Sequence, residues 1–166
     1  MNELIKANIA VLEQVMTFVT CCHDETYKGT LPNAPSSIGK HIRHILDHYQ
    51  CLERGLPTQL INFNDRSRDS QVEFQRPLAL ESTNHFIVWL QTLVLDKQAI
   101  KVISDTELGR PTNVTIESTA ERELLYLINH TVHHLAYAAL LAKLHGHSVP
   151  DSIGVAPSTF NYQKTA

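Results

Sequence analysis

The stretch that most constrains the fold is Glu121 to Leu144, ERELLYLINHTVHHLAYAALLAKL, which holds neither Gly nor Pro and is rich in Leu and Ala. Such a run is a strong helix former. Ser118 and Glu121 stand at the S-x-x-E spacing of a capping box, and Gly146 stops the helix beyond its end. Leu124, Ile128 and Leu135 fall on one side and Leu125, Val132 and Ala136 on another, so the helix is expected to be central and largely buried. It also carries three of the ten histidines. His130 and His134, four apart, point the same way as Tyr137 and Leu141, and His133 is turned aside.

Buried imidazoles need partners. Two of them one helical turn apart can converge on a divalent ion at roughly 2.0–2.1 Å each. For that spacing alone, two core histidines satisfied by backbone or carboxylate groups are the alternative. A second helix changes the weighing. Ser37 is a good N-cap for a helix from Ile38 to about Arg54, stopped by Gly55 and Pro57. Ile38, Ile42, Ile45, Tyr49 and Leu52 form its apolar stripe, and His41, His44 and His48 form another at i, i+3, i+7, about a quarter-turn away. Alone, that row would be a hydrated edge or a pH-sensitive surface. Taken with His130 and His134, it supplies donors for a three-histidine site with a free position for water or substrate.

The rest of the chain is scaffold and connection. With 166 residues it is expected to be one domain, residues 1 to 166, able to bury a core without staples. A formal net charge of −3 with no basic run gives no sign of nucleic-acid or anionic-membrane binding. Cys21, Cys22 and Cys51 form neither a C-x-x-C clip nor an even framework, which suits a reduced, cytoplasmic protein. Ile5, Ile9, Leu12, Met16 and Val19 make residues 2 to about 22 an amphipathic helix, and Glu3, Lys6 and Glu13 argue against a secretory or spanning segment. His23, Asp24 and Glu25 read as a solvated helix end.

From Leu56 to Arg76 the periodicity is lost and a long polar loop is expected. Its Asp65, Arg66 and Arg68 could contact an acidic substrate, although local salt bridges are the simpler role. Leu78 to about Asp96 is helical again, with Phe86, Trp89, Leu90 and Leu93 facing the core, Pro77 in the first turn and His85 at the surface. Ala99 to Ser104 and Asn113 to Glu117 alternate around a Gly/Pro turn, which predicts a hairpin packed on the end of the helices. After Gly146 the chain is loop-like, tied down by Ile153, Val155 and Phe160, with His145 and His147 favourably placed by the helix dipole.

The segments Ser37-Ile-Gly-Lys-His41-Ile-Arg-His44-Ile-Leu-Asp-His48 and Glu123-Leu-Leu-Tyr-Leu-Ile-Asn-His130-Thr-Val-His133-His134 resemble the DinB-like superfamily, also called DinB/YfiT. The order of elements agrees over nearly the whole chain. The resemblance implies an all-α four-helix bundle of up-down-down-up topology, here with a short β-hairpin inserted before the last long helix. It implies a divalent metal held by one His on the second helix, seven residues after the Ser/Thr that opens it, and by H-x-x-x-H on the last. Carried onto this sequence, the ligands are His44, His130 and His134, with His48 as the rival to His44. His41, His48 and His133 exceed the simplest pattern, as groups orienting the ligands or as ligands themselves.

Three neutral imidazoles would leave an ion its full charge and an exchangeable position, able to lower the pKa of a bound thiol or water. Characterised DinB-like proteins include metal-dependent transferases and isomerases of low-molecular-weight thiols such as bacillithiol or mycothiol. The resemblance therefore implies a thiol S-transferase with a small-molecule substrate. A metal-dependent hydrolase and a non-enzymatic, stress-related metal-binding protein are the alternatives. Zinc, nickel, iron or copper would suit the donors, and the superfamily often forms homodimers.

Overall fold

The structure is a computed structural model, and it describes residues 2–67, 70–95, 99–110 and 112–165. Arg68, Asp69, Asp96 and Pro111, which figured in the sequence reading, lie outside the described residues. Four long helices dominate: α1 (Glu3–Cys21), α3 (Ile38–Gly55), α4 (Arg76–Thr92) and α5 (Ala120–Leu144). Helix α1 packs on α4 and α5, and α3 packs on α5 and α4. Two short helices, α2 (Asp24–Lys28) and α6 (Pro157–Thr165), complete the helical part. The sequence reading takes the start of α2 as a solvated end of α1 and the segment of α6 as loop.

The stripes fall where the periodicity places them. Ile38, Ile42, Ile45, Tyr49 and Leu52 of α3 are wholly buried, and Ser37 caps the helix by accepting from the Lys40 amide at 3.1 Å. Helix α1 is long and apolar enough by composition to span a bilayer, but Ile5, Ile9, Leu12, Val15, Phe18 and Val19 are used in the core. Phe86 and Leu90 of α4 are buried, Trp89 and Leu93 pack at the core's edge, and His85 sits at the surface against Glu53 at 2.9 Å.

Two expectations for the last long helix are corrected. Its cap is Thr119, whose hydroxyl accepts from the Arg122 amide at 3.2 Å. Ser118 instead donates to the buried carboxylate of Glu123 at 2.5 Å. The helix is also not buried all round: Leu125, Tyr137, Leu140 and Leu144 are exposed along one side, while α1 and α3 pack on the others. Apolar composition alone did not reveal that face.

The hairpin forms from β2 (Ala99–Asp105) and β3 (Asn113–Thr119), antiparallel with Val102 opposite Ile116. A third strand, β1 (Leu60–Asn62), lies parallel to β2 on its other edge, with Ile61 opposite Val102. The expected all-α body thus carries a small three-stranded sheet, and part of the polar connection is ordered by it. Ile61, Ile100 and Val102 turn into the core, whereas Val114 and Ile116 remain exposed.

A buried polar chain joins the helices that will matter below. The Tyr49 hydroxyl on α3 donates to Asn8 Oδ1 on α1 at 2.8 Å, and Asn8 Nδ2 donates to the Leu124 carbonyl on α5 at 3.1 Å. Tyr49→Phe would leave the Asn8 oxygen without this donor. Urea unfolding should then show a loss of about 1–3 kcal/mol, the usual cost of an unsatisfied buried acceptor. No change in stability would mean that this chain does not help fix the helices.

Candidate metal centre

Helices α3 and α5 bring imidazoles together from positions far apart in sequence. One donor nitrogen each of His44, His130 and His134 lies within 4.8 Å of the other two, and all three side chains are half-buried. The ring centres of His44 are 4.9 Å from His130 and 4.3 Å from His134, and His130 is 4.5 Å from His134. The quarter-turn offset of the histidine row on α3 explains the placement. The apolar stripe fixes the helix against the core and leaves the histidines at the seam with α5.

His48 is packed with the cluster but does not join the convergent group. Its ring centre is 4.0 Å from that of His130, and its ring stacks on Phe63 at 5.3 Å. Its Nδ1 lies 2.8 Å from the His44 carbonyl oxygen. A carbonyl only accepts, so Nδ1 carries the proton and Nε2 of the neutral ring is bare. His41 sits beyond His134, with Nδ1 to Nδ1 at 3.1 Å, and stacks against Tyr137 at 4.5 Å. One of the two rings donates to the other. A His134 that donates from Nδ1 presents a bare Nε2, which is the way an outer partner orients a metal-ligating histidine. His133 is exposed and meets His134 edge-on at 5.1 Å.

The donor chemistry fits a divalent cation. His130 Nε2 is buried with no partner among the described residues, an orphaned nitrogen in the cluster. Its Nδ1 has only the Tyr126 hydroxyl, 3.5 Å away and too long for a firm hydrogen bond. Burial, then the neighbouring imidazoles, push His44 down to about 2, His130 to about 3 and His134 to about 4. Burial also brings His48 down to about 4. Neutral imidazoles are the form that binds metal.

Three residues entered the site without having been assigned to it from sequence. Tyr126 stacks on His130 at 5.3 Å, and its position four residues before His130 was a usable signal. Phe63 and Arg66 come from the stretch read as loop; Arg66 was weighed there as a contact for an acidic substrate, and no local pattern pointed to Phe63. Of the acidic-substrate candidates there, Asp65 makes the expected local salt bridge, to Arg54 at 2.8 Å. Arg66 instead turns inward and donates from Nη1 to His44 Nδ1 at 3.0 Å.

No family model and no curated protein matches the sequence. Among solved structures, a DinB-like protein, YjoA, from Bacillus subtilis superposes with a TM-score of 0.64 at 14% identity, over 89% of this chain and 95% of that one. The chain has the DinB-like fold. The resemblance read from the two histidine helices therefore holds for the DinB-like architecture, and it does so at an identity where sequence alone carries little signal.

The neutral cluster makes the stability of the metal-free protein depend on pH. The ordinary imidazole value is 6.5, and all four rings titrate well below it in the folded chain. Between pH 6.5 and about 4 the unfolded chain takes up protons at these sites and the folded chain does not, so stability falls as pH falls. Thermal melts across this window should show that decline, with a smaller slope in a His44→Gln/His130→Gln double variant. Equal slopes would show that the cluster is not the cause.

Proposed function

We propose that this protein is a metal-dependent enzyme that holds a divalent ion on His44, His130 and His134 and activates a low-molecular-weight thiol for transfer to an electrophile. The observation that carries the metal part is the convergence of three half-buried imidazole nitrogens within 4.8 Å. A divalent cation on three neutral imidazoles keeps its full charge and lowers the pKa of a bound thiol toward neutrality. The surrounding residues keep the donors neutral and in place. His41 orients His134, and His48 and Tyr126 wall the cluster beside His130.

The choice of a thiol over water follows the resemblance to the DinB-like superfamily, as do the proposed membership of that superfamily, the up-down-down-up sense of the four long helices and a homodimer. The chain is proposed to act as a single domain in the cytoplasm. Its three cysteines are free, as a reducing compartment would leave them. Zinc, nickel and iron are the candidate ions.

The test is consumption of electrophiles by the metal-loaded, tag-free protein with a panel of small thiols. Turnover should require both metal and thiol and should be lost in His130→Ala. Absence of metal-dependent consumption with every thiol would reject the transferase reading, and metal-dependent hydrolysis in the same assay would replace it.

A further inference from the structure

Arg66 brings a guanidinium to the histidine cluster with no carboxylate bonded to it among the described residues; the buried Asp47 feels its charge but is bonded to Arg43. It is half-buried, its Nη1 donates to His44 Nδ1, and its Nε is buried with no acceptor. Among the described residues no carboxylate pairs with it. Asp65 is engaged by Arg54 at 2.8 Å, and Asp47 by Arg43 at 2.7 Å. A guanidinium drawn out of water normally finds a carboxylate or phosphate.

The backbone holding Arg66 is pinned on both sides. Phe63 extends the sheet through its amide to the Ile103 carbonyl at 3.0 Å. Asn64 Oδ1 accepts from the Asp105 amide at 2.9 Å, and the Ser67 carbonyl faces Arg43 Nη1 at 3.4 Å. The inward position of Arg66 is thus built into the fold.

Its present hydrogen bond is incompatible with a liganded His44. Arg is donor-only, so His44 Nδ1 must be the acceptor and, in the neutral ring, Nε2 must carry the proton. To ligate through Nε2, His44 must move that proton to Nδ1, which then has no lone pair for Arg66. To ligate through Nδ1, it must give up the same lone pair. In either case the guanidinium loses its acceptor next to a newly added positive charge.

We infer that Arg66 receives the carboxylate of a small anionic substrate or cosubstrate, holding it beside the position that His44, His130 and His134 leave open. This inference rests on the metal reading above and narrows its substrate class to thiols, or their acceptors, that bear a carboxylate. A single planar fork matches one carboxylate, whereas phosphate sites usually add a helix N-terminus or a cluster of cations. The three imidazoles are neutral and Asp47 is shared with Arg43, so the anion adds negative charge against the ion and the guanidinium.

The test uses the full chain loaded with Co(II), titrated with 2-mercaptoethanol and with mercaptoacetate, which differ in the carboxylate. Thiolate-to-cobalt absorption reports binding, and the cobalt bands report occupancy of the metal site. The wild type should prefer mercaptoacetate by at least about tenfold, the scale of one charge-assisted contact. The preference should largely vanish in Arg66→Gln and be partly kept in Arg66→Lys. Cobalt affinity without thiol should be unchanged or tighter in Arg66→Gln, since a competing donor and charge are gone. An equal preference in wild type and Arg66→Gln, or a cobalt affinity weakened more than about tenfold in Arg66→Gln, would overturn the inference and leave the metal reading standing. A wild type that takes up no cobalt would end both.

Discussion

Several imidazoles packed ring to ring at the seam of two helices can exist only if they stay neutral, and much of this structure follows from that requirement. With ring centres between 4.0 and 4.9 Å apart, one proton added to His44, His48, His130 or His134 would place a charge in a medium that solvates it poorly. Each neutral ring has one donor and one acceptor nitrogen, so the cluster can be audited. His48 spends its donor on the His44 carbonyl, and His134 shares a proton with His41. His44 accepts from Arg66, and His130 is left with a buried nitrogen that nothing among the described residues satisfies. A cation at the convergence of the three donors would satisfy the His130 nitrogen, provided that Arg66 releases His44.

The scaffold is arranged to hold that seam. Five wholly buried side chains of α3 fix its rotation, and the Tyr49–Asn8–Leu124 chain links α3, α1 and α5 through buried hydrogen bonds. Arg43 pairs with Asp47 one turn along α3 at 2.7 Å and ties the helix to Glu73, in the connection between β1 and α4, at 3.0 Å. Buried ion pairs of this kind contribute little net stability but fix geometry when fully hydrogen-bonded. The small sheet plays a similar part, because pairing of β1 with β2 determines where Phe63 and Arg66 point.

Much of this was legible in the sequence, for reasons that differ by element. Helices α1, α3 and α4 each show an apolar stripe of helical period, and the β2–β3 hairpin shows alternation around a turn; these are local signals of local structure. Strand β1 is three residues long and pairs with a partner some forty residues on, so its order comes from β2 and not from its own residues. Helix α6 has no buried residue and hence no stripe to read. In α5, Leu125 counted as core by type but faces outward, as do Leu140 and Leu144, since burial depends on which neighbours are present. For the site, the spacings identified the histidine faces, but His44 and His48 share a stripe and only the resemblance separated them. Arg66 was weighed as a contact for an acidic substrate, but its place beside His44 was not legible, because a loop's side-chain directions are set by contacts distant in sequence.

The claim on which the rest depends is that His44, His130 and His134 hold one divalent ion. Zinc titration of metal-free, tag-free protein tests it most directly, comparing wild type with His44→Ala and His48→Ala. The account predicts one ion per chain, an affinity lowered by more than about 100-fold in His44→Ala, and a smaller loss in His48→Ala, within the 10–100-fold typical of groups that only orient ligands. A wild type that binds no zinc, or a His44→Ala protein that binds it as well as wild type does, would contradict the account.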